Sequence, residues 1–305
     1  MLFKTITFSI ILLSLCTYSY SQSSKTLNPK LPPSQNFDLS SWALSVPSDL
    51  DKNGKPDKIY EAELSSGYEN QNYFFTGKDG GLVFKCPVKG ETTTKNSKYS
   101  RVELREMLRN GNKKIKNAGV NKNNWVFSSA PKKDKKAAAA VDGEMTATLA
   151  INHVTTTGDK KQIGRMVIAQ IHSNTDEPIR LYYRKLKNNT LGSIYFAHEI
   201  NHGKDTFYEM IGGKSNNLEN PEDGIALNEK FTYTIKVVGN KMWVTISREG
   251  KKDVVQYVNM RKSGYDEKGQ YQFFKAGIYI GNNTGDENDY AQVTFYKLEK
   301  SHTFN

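Results

Sequence analysis

The chain has 305 residues, with 43 Lys and Arg against 32 Asp and Glu, a formal net charge of +11. That length can bury a substantial core in one large domain or two small ones. The basic balance suits an acidic partner: nucleic acid, anionic lipid or an acidic polysaccharide.

Residues 1–21 read as a secretory signal peptide. Lys4 gives a positive start, Ile6 to Leu15 form an apolar run too short to span a bilayer, and Ser19-Tyr20-Ser21 is a small-x-small cleavage site. Lipidation at Cys16 is the less favoured alternative, because Leu15 rather than a small residue precedes it. Cleavage leaves Cys86 alone, which excludes a disulfide within the chain; its neighbours Leu82 to Lys85 make it a buried strand residue. The charge after cleavage stays near +10, partly in lysine runs at Lys113-Lys114, Lys132-Lys133 and Lys135-Lys136 that read as solvated loops. No later segment is apolar enough to cross a membrane.

Residues 22–36, rich in Ser, Pro and Lys, read as a linker into a domain at 37–305. Asp49-Leu50-Asp51-Lys52-Asn53-Gly54 begins like a calcium loop. Position twelve is Tyr60, however, with Glu61 one residue late, so a structural turn is favoured. Beyond it, period-two alternation dominates: Leu82 to Phe84, Glu144 to Ile151, Arg165 to His172, Arg180 to Arg184, Ser193 to Ala197, Phe231 to Val238, Lys241 to Ser247, Tyr271 to Ile280 and Ala291 to Leu298. Gly239-Asn240 is a tight hairpin turn between two of these. Short helices are expected only near Glu61 and Ala137 to Ala140. Many strands without a βαβ pattern predict an all-β antiparallel sandwich of the jelly-roll type.

Three strands carry polar faces. Arg101, Glu103 and Arg105 share one side of Ser100 to Met107, with Val102 and Leu104 on the other. The glutamate is placed to hold guanidinium groups that can grip a carboxylate through paired hydrogen bonds; an exposed salt-bridge ladder has the same spacing. Gln170 and His172 share a polar face around Ile171. Lys275, Gly277 and Tyr279 share another, where the glycine leaves room for a ligand to approach the backbone.

The blocks R-x-E-L-R-E-M, Q-I-H and F-K-A-G-I-Y, in this order, resemble the signatures of polysaccharide lyase family 7, the alginate lyases. The likeness extends from Phe37 to Leu298, through Trp42-Ala43-Leu44, Val46-Pro47, Glu177 to Arg184, Ser193 to Glu199 and Asn220 to Lys230. It implies a jelly roll with a concave substrate-binding sheet and cleavage of alginate by β-elimination without metal or cofactor. Arg101, Gln170, His172 and Tyr279 then resemble the catalytic set, with Arg105, Lys275 and Glu103 as substrate-binding partners. The chain departs from the family where Ile280-Gly281-Asn282 follows the tyrosine in place of Asn-Gln, and in having Val102 where Ser or Thr is usual.

In that chemistry the C5 proton, α to an ionised carboxylate, becomes acidic only when donors neutralise the charge that develops. Arg101 and Gln170 suit that task. Tyr279 suits protonation of the leaving oxygen, with cations nearby to tune its pKa, and His172 suits the base toward guluronate. The Ile in the Q-I-H block implies a preference for guluronate-containing stretches. The expected protein is a secreted monomer acting on an acidic polysaccharide, with no nucleic-acid partner and no membrane span. A non-catalytic polysaccharide-binding jelly roll and a lyase for another polyuronate are the alternatives. Asn110 to Asn124, Thr155 to Gln162 and Asn201 to Asn217 read as loops able to wall a cleft.

His198-Glu199-Ile200-Asn201-His202 spells the H-E-x-x-H zinc-peptidase pattern, which requires a helix. Its context, Ser193 to Ala197 before it and Gly203 after it, predicts a strand end and a polar loop instead. The two histidines then stand about 13 Å apart, too far to share one metal.

Overall fold

The computed structural model describes residues 26–93 and 97–304. The signal peptide expected at residues 1–21, with Cys16, lies outside the described residues. In chain order the strands are β1 (Trp42–Ser45), β2 (Lys58–Ile59), β3 (Phe74–Thr76), β4 (Leu82–Pro87), β5 (Arg101–Glu106), β6 (Trp125–Val126), β7 (Ala140–His153), β8 (Arg165–His172) and β9 (Ile179–Arg184). They continue with β10 (Leu191–Glu199), β11 (Asp205–Ile211), β12 (Ile225–Ala226), β13 (Lys230–Val238), β14 (Lys241–Ser247), β15 (Val254–Asn259), β16 (Phe273–Ile280) and β17 (Tyr290–Phe304). Among the described residues three short helices intervene: α1 (Pro33–Asn36), α2 (Glu61–Ser65) and α3 (Lys132–Ala137).

Two sheets form. The first runs β11-β10-β9-β8-β16-β5-β1-β2, with β12 beside β10. The second runs β15-β14-β13-β7-β17-β4-β3, with β6 pairing parallel to β7. Every other strand pair is antiparallel, and neighbours in space are often distant in sequence, as where β16 lies between β5 and β8. This is the jelly-roll sandwich expected from the strand pattern.

One continuous apolar core fills the space between the sheets, drawing Leu104, Ile171, Phe274 and Ile278 from the first and Met145, Phe231, Val244 and Phe295 from the second. Val102 is an inward core residue, so its departure from the family pattern lies away from the polar face. Cys86 is fully buried on β4, and burial pushes its thiol up to about 12. Gly239 turns β13 into β14 at φ 56°, a conformation glycine adopts without the strain a Cβ brings.

Several local expectations are corrected. The segment from Thr26 to Asn36 is packed: Leu27 lies against the core, and buried Asn36 exchanges hydrogen bonds with Asn28 at 2.9 Å. The helix expected at Ala137 to Ala140 lies one turn earlier, over the lysine run Lys132–Ala137, and Ala140 opens β7. Pro131 starts it, buried Asp134 in its first turn receives the Gly269 N–H at 2.7 Å, and two lysines in its last turn face its negative end. Asn201 to Asn217 is not a loop throughout, because β11 occupies its centre as the edge of the first sheet. Edge pairing supplies backbone hydrogen bonds that a weakly alternating, exposed sequence does not advertise.

Candidate active site

The site lies on the face of the first sheet turned away from the core, and strand register assembles it. Arg105 on β5 stands opposite Lys275 on β16, Lys275 opposite Gln170 on β8, and Gln170 opposite Arg180 on β9. A second row runs Arg101, Tyr279, Val167, Tyr182 and Tyr195 across β5, β16, β8, β9 and β10. His172 completes the patch opposite Phe273.

The two rows fit together because β8 breaks its alternation. It carries one residue more than β9 between Val167 and Ala169, so Ile168 and Ala169 both reach the core while Val167 and Gln170 both face outward. A complementary irregularity falls on β16 between Ala276 and Tyr279, around Gly277 at φ 131°. A Cβ there would sit 2.6 Å from the Val102 carbonyl oxygen and 3.0 Å from the Phe84 ring. The glycine is therefore demanded by the bulged backbone and the neighbouring strand, and not by ligand clearance as its position among polar residues suggests.

Glu103 is the hub. Its buried carboxylate accepts hydrogen bonds from Lys275 Nζ and Gln170 Nε2, and from Arg101 Nη1 at 3.1 Å. Burial works to raise its pKa, but Lys275, Arg101 and these donors prevail and hold it below the usual carboxylate range. Burial has the reverse effect on Lys275: desolvation, then repulsion from Arg101, bring its ammonium down to about 8 despite Glu103. Arg101 stacks over the Tyr279 ring at 4.1 Å, and its Nε has no hydrogen-bond acceptor among the described residues.

The Arg101-Glu103-Arg105 row is only half as the spacing implies, because Arg105 does not bond Glu103. Its guanidinium lies 3.8 Å over Phe273 and donates to the carbonyls of Glu106 and Asn117 and to Asn124 Oδ1, at 2.7–3.0 Å. It thus ties the sheet to the Asn110 to Asn124 loop. Tyr279 also differs from expectation. Burial raises its phenol, with the Arg101 charge opposing but not winning, so the hydroxyl stays protonated at neutral pH. Asn282, in the stretch that departs from the family, is fully buried and donates to Thr155 Oγ1 and the Thr157 carbonyl, at 3.1 and 2.9 Å.

His172 stacks on Phe273 with ring centroids 5.1 Å apart and planes 8° from parallel. Its Nδ1 lies 2.7 Å from the Ser173 carbonyl oxygen and its Nε2 3.2 Å from Glu177 Oε1. Burial depresses the imidazole pKa, Glu177 resists and Lys275 adds to the fall. The sequence reading did not single out Glu177, Arg180 and Asp205 for the site. Only their place in a family-like stretch or at a strand end could have drawn attention to them.

The H-E-x-x-H stretch ends β10 and enters a turn. His198 points to the core side, with Nδ1 2.8 Å from the Pro178 carbonyl and Nε2 2.8 Å from Ser263 Oγ, while His202 is exposed in the turn at φ 58°. Glu199 lies on the opposite face, against Arg180 and Glu177. In the N-terminal loop, Asp49, Asp51 and Asp57 converge with carboxylate oxygens within 4.8 Å of one another. Asp49 receives the Asn53 and Gly54 N–H groups, and Asp57 that of Leu50, at 2.9–3.0 Å, as in a tight turn.

A jelly roll whose outward sheet face gathers Arg, Lys, Gln, His and Tyr around one buried carboxylate presents donors suited to an anionic ligand. The alginate lyase family model matches residues 37–302. An alginate lyase of Klebsiella pneumoniae is 50% identical over 302 residues, covering 96% of this chain and 97% of that protein. The crystal structure of the alginate lyase from Klebsiella pneumoniae superposes with a TM-score of 0.88 at 52% identity, covering 89% of this chain and 98% of the other. A crystal structure described as a member of polysaccharide lyase family 7 matches with a TM-score of 0.64 at 25% identity, over 90% of this chain and 99% of its own. The chain belongs to the alginate lyase family and is a polysaccharide lyase.

Proposed function

We propose that this protein is a secreted, monomeric alginate lyase that cleaves the 1,4 glycosidic bond by β-elimination. It leaves an unsaturated uronate at the new non-reducing end and prefers guluronate-containing stretches. The observation that carries this reading is the Glu103 hub, which fixes Arg101, Lys275 and Gln170 in one patch with His172 and Tyr279 on either side.

The reaction removes the C5 proton and expels O4. Its barrier is high because a second negative charge develops beside the uronate carboxylate, and donors aimed at that carboxylate lower it. Arg101, Gln170 and Lys275 supply them. Glu103 orients all three, and its negative charge opposes the fall that burial causes in the Lys275 pKa. Arg105 contributes through the loop it anchors. The raised phenol of Tyr279 makes it the acid that protonates the leaving oxygen. His172, neutral because burial depresses it, takes the C5 proton of guluronate, which lies on the face opposite the leaving group. Where proton and leaving group share one side, as in mannuronate, the minor phenolate form of Tyr279 takes the C5 proton and hands it to the departing O4. The chemistry calls for no metal or organic cofactor.

Absorbance from the new C4–C5 double bond tests the reading. Tyr279→Phe should lower its rate of appearance by ~10²–10⁴-fold with the melting temperature nearly unchanged. Retained turnover would remove Tyr279 from the chemistry. Absence of unsaturated ends from wild-type digests of alginate, with clear binding, would favour the non-catalytic module instead.

A further inference from the structure

Glu199, the glutamate of the H-E-x-x-H stretch, has no task in the mechanism above, yet it lies beside His172's partner. His172 Nδ1 faces the Ser173 carbonyl oxygen at 2.7 Å; a carbonyl only accepts, so Nδ1 carries the proton. Proton uptake at this ring is therefore confined to Nε2, which lies 3.2 Å from Glu177 Oε1. Glu199 lies beside Glu177, placed so that one carboxyl can donate to the other when either holds a proton. Arg180 lies between them, with Nη2 3.2 Å from Glu199 Oε2 and paired also with Asp205. Three carboxylates around one guanidinium favour keeping a proton within the group. Burial and the neighbouring Glu177 and Asp205 accordingly push Glu199 up to about 7, against Arg180. The Glu177 and Glu199 side chains are 19% and 21% exposed, so the pair also reaches water.

We propose that Glu177 and Glu199 form the outlet through which a proton taken up at His172 Nε2 leaves the site. The proposal rests on the reading of His172 as the base toward guluronate. Glu177 yields Nε2 to the substrate by moving toward Arg180 Nε, which lies 3.8 Å from Glu177 Oε2 and has no hydrogen-bond acceptor among the described residues. The C5–H bond then breaks, its electrons form the C4–C5 double bond, and the C4–O4 bond breaks as O4 takes the Tyr279 proton. The C5 proton passes from Nε2 to Glu177 and on through Glu199 to water, while Tyr279 regains one proton from water. Glu177 is thus a positioning residue acting through His172. The other charged groups facing this chain are Lys275 and Glu103 toward His172, and Arg180 and Asp205 toward Glu199.

The test is the pH dependence of kcat and KM on polyguluronate and polymannuronate for the wild type and for E177Q, E199Q, E177D and H172A, with melting temperatures alongside. E177Q should lower kcat on polyguluronate by about tenfold or more with KM little changed, and should harm polymannuronate cleavage much less. Its acidic limb should move to lower pH, because the carboxylate that raises the imidazole pKa is gone. E199Q should act in the same direction more weakly, and E177D should restore part of the loss. Equal loss on both polymers, an unmoved limb, or a change in KM alone would overturn the outlet, and E199Q decides if E177Q does not fold. If H172A harms both polymers alike, the base assignment itself fails and the outlet with it. If H172A discriminates and E177Q does not, the outlet alone fails.

Discussion

Glu103 and Glu106 stand three residues apart on β5, both buried, both carrying pKa values below the usual carboxylate range, and they face opposite sides of the sheet. Glu106 faces the interior between the sheets. It accepts hydrogen bonds from His302 Nε2 at 2.7 Å, Trp125 Nε1 at 3.1 Å and the Phe274 N–H at 3.1 Å, and pairs with Lys300 at 3.0 Å. Burial opposes its charge, but His302 and Lys300 outweigh it. Those partners tie the first sheet to the end of β17, and His302 is closed off from solvent. Glu103 faces outward, and its partners Arg101 and Lys275 lie at the floor of the open face. The same device, a buried carboxylate ringed by donors, thus joins two sheets in one place and arms a surface in the other. What differs is the face on which the partners stand, the outer face of the first sheet for Arg101 and Lys275 and the space between the sheets for His302 and Trp125.

That contrast predicts opposite consequences for the same substitution. Glu103→Gln leaves two cations without their anion at the site, and turnover should fall by ~10²-fold or more in a product-absorbance assay, at the level seen when one preorganised donor is lost. Glu106→Gln should instead appear as lost stability of ~3–5 kcal/mol in denaturant melts, the cost of breaking a buried ion pair, with kcat of the folded fraction close to wild type. If the two variants behave alike, the division between a structural and a site carboxylate is wrong. Because Glu106 is depressed on folding, its contribution is complete above the unfolded pKa and is lost as pH falls through that value toward the folded one. Glu106→Gln should therefore flatten the acid side of the stability curve.

A smaller effect concerns pH and activity. Lys275, at about 8, loses its proton as pH rises through that value, and with it the charge facing the uronate carboxylate. kcat/KM should decline on the alkaline side near pH 8, and Lys275→Arg should move that limb upward if the variant keeps its place beside Glu103. An unmoved limb assigns it to another group. The smallest effect belongs to the second sheet, where Thr146 pairs with Thr234 at 2.9 Å and Thr148 with Thr232 at 2.8 Å on the outward face. Replacing either pair by Val should change stability by ~0.2–1 kcal/mol and leave turnover unchanged.

The two sheets also differ in how openly the sequence announces them. β13 and β14 alternate buried and accessible residues throughout, because solvent covers one face; period two locates both within a residue. β8 and β16 are buried almost end to end, since their polar side chains pack on one another and on Phe273. Alternation still located them, through residue chemistry rather than exposure. It could not reveal the bulge at Ile168-Ala169, which leaves no mark of its own in the one-letter string.

By itself the sequence determined the all-β class, most of the long strands, the outward set Arg101, Glu103, Gln170, His172, Lys275 and Tyr279, and the family. Each of these depends on residue type and short-range spacing, which the chain carries locally. Only the tertiary structure decided that Glu103 gathers Lys275 and Gln170 as well as Arg101, that Arg105 spends its donors on the Asn110 to Asn124 loop, and that Tyr279 is raised rather than lowered. It also decided that Glu199 belongs beside His172's partner and not on a zinc ion. Those outcomes turn on which strands become neighbours and on what burial does to a charge, quantities fixed by contacts between residues as far apart in sequence as Glu103 and Lys275.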